Sequence, residues 1–314
     1  MSAYTHIPVL VAEVVEALRP RPGGRYGDLT IGGGGHAFAI LKATGGAGWL
    51  LGVDRDGAAL KAAEERLAPF GGRFELRWGT YDRLLEWVTE GSLDGVLMDL
   101  GVSSPQLDVA ARGFSFQADG PLDMRMDPDQ ALTAATVVNT APVEELERML
   151  ATLGEEPRAR RLARRIDEER RMQPLRTTGQ LATLIERVAP RGGRLHPATR
   201  VFQALRMVVN DELGQLRRGL EVAARALAPG GRLAVISFQG IEAREVKRFG
   251  VERTRDYTYD GEVDVPELRR PREPELAWVH RRAVTPGRWE LENNVRARSA
   301  QLRVLERRGH GADT

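Results

Sequence analysis

The chain has 314 residues, 42% of them hydrophobic, enough for a well-buried core and for one large domain or two. It contains no cysteine, which excludes disulfides, thiolate metal sites, iron–sulfur clusters and a cysteine nucleophile. The formal net charge is only +2 and lysine occurs only at Lys42, Lys61 and Lys247, so the basic residues are almost all arginine, which suits bidentate phosphate recognition without establishing RNA binding.

No segment has the apolar length needed to span a bilayer, and Met1 to Pro22 carries Glu13 and Glu16 and no signal-peptide pattern, so a cytoplasmic enzyme with no membrane partner is expected. His6-Ile7-Pro8-Val9-Leu10 reads as a short lead-in to a helix over Val11 to Leu18. Next comes Asp28-Leu29-Thr30-Ile31-Gly32-Gly33-Gly34-Gly35-His36, a short apolar run entering four glycines, which reads as a strand feeding a nucleotide-binding turn. The helix that follows covers Ala37 to Leu41, and Trp49 to Asp54 reads as a second buried strand ending in a carboxylate. Asp54 falls about 20 residues past the glycines, where it can take a ribose hydroxyl pair.

This geometry suits two cofactor classes, because Gly32 to Ala37 also satisfies the dinucleotide pattern with alanine in the third glycine place. A nicotinamide-dependent dehydrogenase is therefore one reading. Asp28 favours the other, since a carboxylate before the turn suits the amino group of S-adenosylmethionine better than a pyrophosphate.

Ala58 to Leu67 is a predicted helix, Phe74 to Trp78 a third strand, and Tyr81 beyond it an aromatic placed to stack on adenine. Leu84, Leu85 and Val88 mark a further helix, and Asp94 to Leu100 a fourth strand. Alternating strands and helices predict a mostly parallel sheet covered on both faces, with ligands at the carboxyl ends of the strands, where Asp28, Asp54, Tyr81 and Asp99 fall. Asp99 opens the polar loop Leu100-Gly101-Val102-Ser103-Ser104-Pro105-Gln106. Neither serine sits in a Gly-x-Ser-x-Gly elbow, so a serine nucleophile is not supported. An acid at this strand end can instead hold an amino group, accepting its N–H bonds while the nitrogen lone pair attacks a methyl.

The next buried strand is Gly231 to Phe238. About 130 residues separate it from the fourth, far more than the ~12 a crossover needs, which predicts an inserted domain. Val143 to Leu150, Arg158 to Met172, Thr178 to Val188 and Thr199 to Asn210 each show helical spacing, with Thr177 and Thr178 as a capped start. Glu212 to Leu227 returns to the main domain. In Arg158 to Arg171 a buried stripe of Ala159, Leu162, Ala163 and Ile166 leaves the arginines outward, either as a salt-bridged solvated face or as an RNA contact. A helix over Glu242 to Phe249 and two late strands, Leu276 to His280 and Ser299 to Leu305, complete a seven-stranded sheet. The expected domains are 1–106 and 212–314 for the core and 107–211 for the insertion. The five histidines show no metal-ligand spacing, so His36 reads as a loop or helix-start residue and no metal site is expected.

Several segments together resemble one family. They are His6-x-Pro8-Val9-Leu10, Gly34-Gly35-His36, Asp54-Arg55-Asp56, Asp94-Gly95 and Asp99 through Asp108. Further along are Arg112 to Phe116, Pro121 to Met126, Gly154-Glu155-Glu156, Phe202 to Arg206 and Arg298-Ser299-Ala300. Over nearly its whole length the chain resembles the bacterial small-subunit ribosomal RNA cytosine-N4 methyltransferases, the RsmH or MraW family. The resemblance implies a class I S-adenosylmethionine-dependent methyltransferase, Rossmann-like, with an inserted helical substrate-recognition domain. It also implies methylation of a decoding-centre cytidine at N4 in 16S rRNA of the small subunit, and donor contacts at Gly34, Gly35, His36, Asp54, Tyr81, Asp99 and Gln106.

The chain departs from the family pattern at Gly33 and Ala37, usually arginine and serine, and at Tyr81, usually phenylalanine. It departs again in Ser237-Phe238-Gln239-Gly240-Ile241-Glu242-Ala243-Arg244, where the pattern is Ser-Phe-His-Ser-Leu-Glu-Asp-Arg. The histidine and acid replaced by Gln239 and Ala243 motivate an alternative, a non-catalytic ribosome-binding or assembly factor that keeps the fold. The absence of cysteine bears on the product, because methylation of cytosine C5 by the usual route requires a thiolate adduct and methylation of the exocyclic N4 does not. Asp99 is the candidate acceptor for the N4 amine.

Overall fold

The computed structural model describes residues 8–189, 196–260 and 263–309; His6 and Ile7 of the lead-in motif lie outside them. The chain forms two compact units, one from the stretches that end at Gly101 and resume at Gly214, the other from Val102–Leu213.

The first stretch contains α1 (Val11–Leu18), β1 (Arg25–Asp28), α2 (Gly35–Ala43), β2 (Trp49–Asp54), α3 (Gly57–Leu67), β3 (Phe74–Trp78) and β4 (Leu93–Asp99). Helices follow: α4 (Ser104–Asp108), α5 (Ala134–Thr140), α6 (Val143–Thr152), α7 (Ala159–Met172), α8 (Thr178–Val188) and α9 (Ala198–Val209). The chain returns through α10 (Glu212–Ala226), β5 (Leu227–Ser237) and α11 (Gly240–Arg253). It ends with β6 (Tyr257–Tyr259), β7 (Arg269–Pro271), β8 (Leu276–Trp278), α12 (Arg288–Asn293) and β9 (Gln301–Arg307).

The main sheet has seven strands in the order β3-β2-β1-β4-β5-β9-β8. Its first five strands run parallel, and β9 pairs antiparallel with both β5 and β8. Strands buried on both faces read as unbroken apolar runs, as Leu50, Leu51, Val53, Val96, Leu97, Met98 and Leu233 to Ile236 do. The register sets Asp54 beside Trp78 and Asp99 beside Ile236, so the acids of three neighbouring strands share the carboxyl edge of the sheet.

Three local features differ from the sequence expectation. β1 ends at Asp28, and the apolar residues beyond it belong to the turn, whose Leu29 and Ile31 amides still bond to Leu97 and Val53 carbonyls at 2.9 and 3.0 Å. The helix expected around Leu84 is a 3₁₀ turn over Tyr81–Glu86, wound by i→i+3 bonds such as Arg83 N–H to Thr80 carbonyl, 3.1 Å. Ser299 closes a 3₁₀ turn, Val295–Ser299, and the last strand starts at Gln301.

The second unit has its own core, including Phe114, Leu122, Leu162, Ile166, Leu181, Phe202 and Leu205. α8 starts with the expected cap: the Thr177 side chain accepts from Gln180 N–H and the Gln180 side chain accepts from Thr177 N–H. The Pro121 to Met126 and Phe202 to Arg206 motifs do structural work here. Asn210 accepts from Met126 N–H at 2.9 Å and donates to the Met124 carbonyl at 2.8 Å, while Arg206 makes a buried bidentate pair with Glu212 at 2.7 Å. Among the described residues no helix is long and apolar enough to cross a membrane, and no group of three or more His, Asp or Glu could hold a metal ion.

Candidate active site

The glycine turn is shaped by the backbone it must pass. Gly34 has φ +74°, and a Cβ there would sit 3.2 Å from Ala63 Cα, so the turn packs directly on α3 in a conformation that favours glycine. Gly34 caps α2 without a side chain, and Gly35 and His36 form its first turn. That start lies against two carboxylates. Asp28 is buried and accepts from Thr30 N–H at 3.3 Å, with Ala37 N–H also bonding to it. Asp54 accepts from Gly32 N–H through one oxygen and from Asp56 N–H through the other, both at 2.9 Å. Each Asp54 oxygen keeps a second lone pair, which is what a vicinal diol requires.

β3 delivers Tyr81 to the same edge, since Gly79 N–H bonds to the Asp54 carbonyl at 2.9 Å. Behind the ring lies Gly219 of α10, where a Cβ would come 2.5 Å from Tyr81 Cδ2. A side chain at 219 would displace the aromatic ring. Asp82, next in sequence, is fixed to Arg218 of the same helix at 2.7 Å.

Asp99 ends β4, with its backbone N–H donating to Thr30 Oγ1 at 2.6 Å. His36 is buried beside it. A carbonyl can only accept, so the contact of His36 Nε2 with the Val9 carbonyl at 2.8 Å puts a proton on Nε2 and turns Nδ1 toward Asp99 Oδ2, 3.7 Å away. Asp99 Oδ1 is buried and has no hydrogen-bond partner. Burial pushes the Asp99 carboxyl well above the usual range, and Asp28 and Glu242 nearby add to the rise. Burial likewise raises Asp28 to about 7, with Asp54 contributing. A cluster of acids desolvated in this way is a site prepared for a cation, which would restore their charged forms.

Gln106 lies in the second unit, on α4, where its Oε1 accepts from Ser103 N–H at 3.0 Å. The structure therefore brings Gly34, Gly35, His36, Asp54, Tyr81 and Asp99 to one edge of the sheet unit, and Gln106 closes a turn in the other unit.

The sequence profile of the MraW methylase family matches residues 3–308. The chain belongs to the MraW methylase family. It is 49% identical over 310 residues to the ribosomal RNA small subunit methyltransferase H of Syntrophotalea carbinolica, covering 97% of this chain and 98% of that one. The protein of the same name from Heliobacterium modesticaldum is 46% identical over 311 residues, covering 97% and 99%. Among solved structures, an rRNA methylase from Streptococcus thermophilus covers 97% of this chain at 12% identity and a TM-score of 0.42. The chain is thus a methyltransferase with S-adenosylmethionine as donor. The chemistry of the strand-end residues fits that donor: a carboxylate at Asp54 with lone pairs to spare for hydroxyls, an aromatic at Tyr81, and acids suited to a cation at buried Asp28 and half-buried Asp99.

One residue that departs from the family pattern has a visible place. Gln239 is the N-cap of α11: its side chain accepts from Glu242 N–H, and Glu242 Oε2 accepts from the Phe238 and Gln239 N–H groups at 3.0 Å each. The polar cap is therefore supplied by glutamine. Nothing in the structure explains Ala243. Sequence reasoning did not single out Glu242 as an acid facing Asp99, nor Thr30 or Gly219. The Gln239-x-x-Glu242 capping spacing was the one signal for Glu242, and a glycine within a helix the one signal for Gly219.

Proposed function

We propose that the chain methylates the exocyclic N4 of a cytidine in the 16S rRNA of the small ribosomal subunit, at the decoding centre, with Asp99 as the catalytic residue. The observation that carries this reading is the Asp99 carboxyl: half-buried at the carboxyl end of β4, with a buried Oδ1 that has no hydrogen-bond partner. The names of the relatives support the RNA class.

When bound, S-adenosylmethionine supplies an electrophilic methyl group on a sulfonium sulfur. The protein's part is orientation and proton handling. Asp54 takes the ribose hydroxyls, Tyr81 stacks on the adenine, and the Gly34-Gly35-His36 start of α2 offers backbone N–H groups. Gln106 stays a proposed donor contact on its motif alone. The N4 lone pair is delocalised into the cytosine ring, so the amine must be turned out of plane and its departing proton accepted as the new carbon–nitrogen bond forms and the methyl–sulfur bond breaks, its electron pair remaining on sulfur as a neutral thioether. Asp99 Oδ1 is the acceptor, with His36 Nδ1 3.7 Å from Oδ2. Reaching this carboxyl requires the base to leave its stack, at a cost of a few kcal/mol. The insertion, Val102–Leu213, is the proposed substrate-recognition unit.

The experiment is methyl transfer from labelled donor to small subunits isolated from cells lacking the modification. Wild type should label the small-subunit RNA and leave large subunits and free cytidine unlabelled. Asp99→Asn should keep its fold and lose ~10²–10³ in kcat, the cost of removing one electrostatic stabiliser. Unchanged kcat in that variant would remove Asp99 from catalysis. Donor binding without turnover in wild type would favour the non-catalytic assembly factor.

A further inference from the structure

Helix α7 is electrostatically divided. In its second half each arginine has a carboxylate partner: Arg165 pairs with Glu168 and Glu169 at 2.9 and 3.1 Å, and Arg170 and Arg171 pair with Asp167 at 2.8 and 2.7 Å. This is an ordinary salt-bridged face. The first half is different. Arg158, Arg160, Arg161 and Arg164 are exposed, and among the described residues none has a carboxylate within ion-pair distance. Arg187 of α8 is exposed and unpaired in the same sense, and it faces the same groove of about 690 Å³, lined also by Pro157, Arg165, Glu168 and Val188.

The arrangement works against helix stability. Arg160 and Arg164 are four residues apart and Arg161 and Arg164 three apart, spacings at which like charges destabilise a helix. The first turn of α7 contains no acid, although acids are what favour a helix start. Glu156 is at hand, but it accepts the Arg158 backbone N–H at 2.9 Å and leaves the guanidinium unmatched. Local choices that oppose local stability mark places kept for another purpose.

We propose that this groove between α7 and α8 binds the phosphodiester backbone of the small-subunit ribosomal RNA through Arg158, Arg160, Arg161, Arg164 and Arg187. The inference rests on the proposed RNA substrate and names the surface that holds it. Guanidinium groups match phosphate oxygens in a bidentate fork. The groove is open and carries arginines from both α7 and α8, so phosphates of one strand can meet different arginines. Among the described residues the one acid lining it is Glu168, which pairs with Arg165. Backbone contacts of this kind fix the register of the RNA without reading its bases.

The test uses the full-length protein with Arg160→Gln, Arg161→Gln and Arg164→Gln combined. A charge-matched control in the same unit combines Arg148→Gln, Arg171→Gln and Arg176→Gln. Binding to intact small subunits and to protein-free 16S rRNA is measured from low to high salt, beside methyl transfer and melting temperature. The groove variant should lower the slope of log affinity against log salt by about 2–3, since each lost phosphate contact removes ~0.7–0.9. It should raise KM for subunits at least tenfold at physiological salt. Donor affinity and kcat at saturating subunits should be unchanged, and the melting temperature equal or higher because repulsion is relieved. The control should keep the wild-type slope. An unchanged slope in the groove variant, or an equal fall in the control, would overturn the proposal. A loss of binding to intact subunits with protein-free RNA unaffected would also overturn it and point to an acidic ribosomal protein. Absence of methyl transfer by wild type would count against the substrate reading alone, because the salt slopes are measured independently of turnover.

Discussion

Burial raises the carboxyls of Asp28 and Asp99, with Asp28 and Glu242 adding to the rise at Asp99, and the sign of the resulting pH dependence follows. A carboxyl raised on folding holds its proton in the native state at a pH where the unfolded chain has released it, so native stability falls as pH rises from the ordinary carboxylate range near 4 toward 7. With Asp28 raised to about 7 and Asp99 also raised well above the usual carboxylate range, the donor-free protein should melt at lower temperature at pH 7.5 than at pH 5.5. Asp28→Asn should flatten that slope, and a melting curve independent of pH in wild type would contradict the burial account. A cationic donor favours the ionised acids, so its binding should strengthen through the same window and release protons, read by calorimetry in buffers of different ionisation enthalpy. Asp54→Ala should weaken donor binding by about 1.5–3 kcal/mol for each charge-assisted bond lost, while the fold survives. Unchanged affinity in the folded variant would take Asp54 out of the site. At this scale the sequence was a good guide to acids at strand ends, because such positions announce themselves as a carboxylate closing an apolar run. It was silent on what each acid faces: that Glu242 approaches Asp99, or that His36 turns Nδ1 toward it, depends on elements far apart in the chain.

Gly219 shows how a helix can serve a site without touching the chemistry. Glycine in a helix interior costs about 1 kcal/mol relative to alanine, yet it sits in α10 where Tyr81 needs the room. Gly219→Ala should therefore gain helix propensity while pushing the Tyr81 ring out of place, leaving melting temperature equal or higher and donor affinity lower. Loss of stability with unaltered affinity would show that the glycine serves packing alone. The strands were legible because burial on both faces leaves continuous apolar runs, and α8 because Thr177 and Gln180 form a capping box. The 3₁₀ turn at Tyr81–Glu86 was not, since the spacing of Leu84, Leu85 and Val88 does not distinguish i→i+3 from i→i+4 bonding. β6 and β7 were missed because three-residue strands of tyrosine, arginine and proline show no alternation. Within α7 the spacing allowed both a salt-bridged face and an exposed basic one, and each occupies half of the helix.

For the whole molecule, the long interval between the fourth and fifth strands was enough to expect an insertion, because a crossover does not need that length. The seven-stranded sheet, the strand-end acids and the family all agree on a methyltransferase. Chemistry narrows the product further. Without a cysteine the chain cannot form the thiolate adduct used for carbon methylation of cytosine, whereas an exocyclic amine needs only orientation and an acceptor. The most direct test digests small subunits treated with enzyme and isotopically labelled donor to nucleosides, separates them and identifies the labelled species by mass spectrometry. Label confined to N4-methylcytidine is the predicted result; label in 5-methylcytidine or in a methylated purine would contradict it.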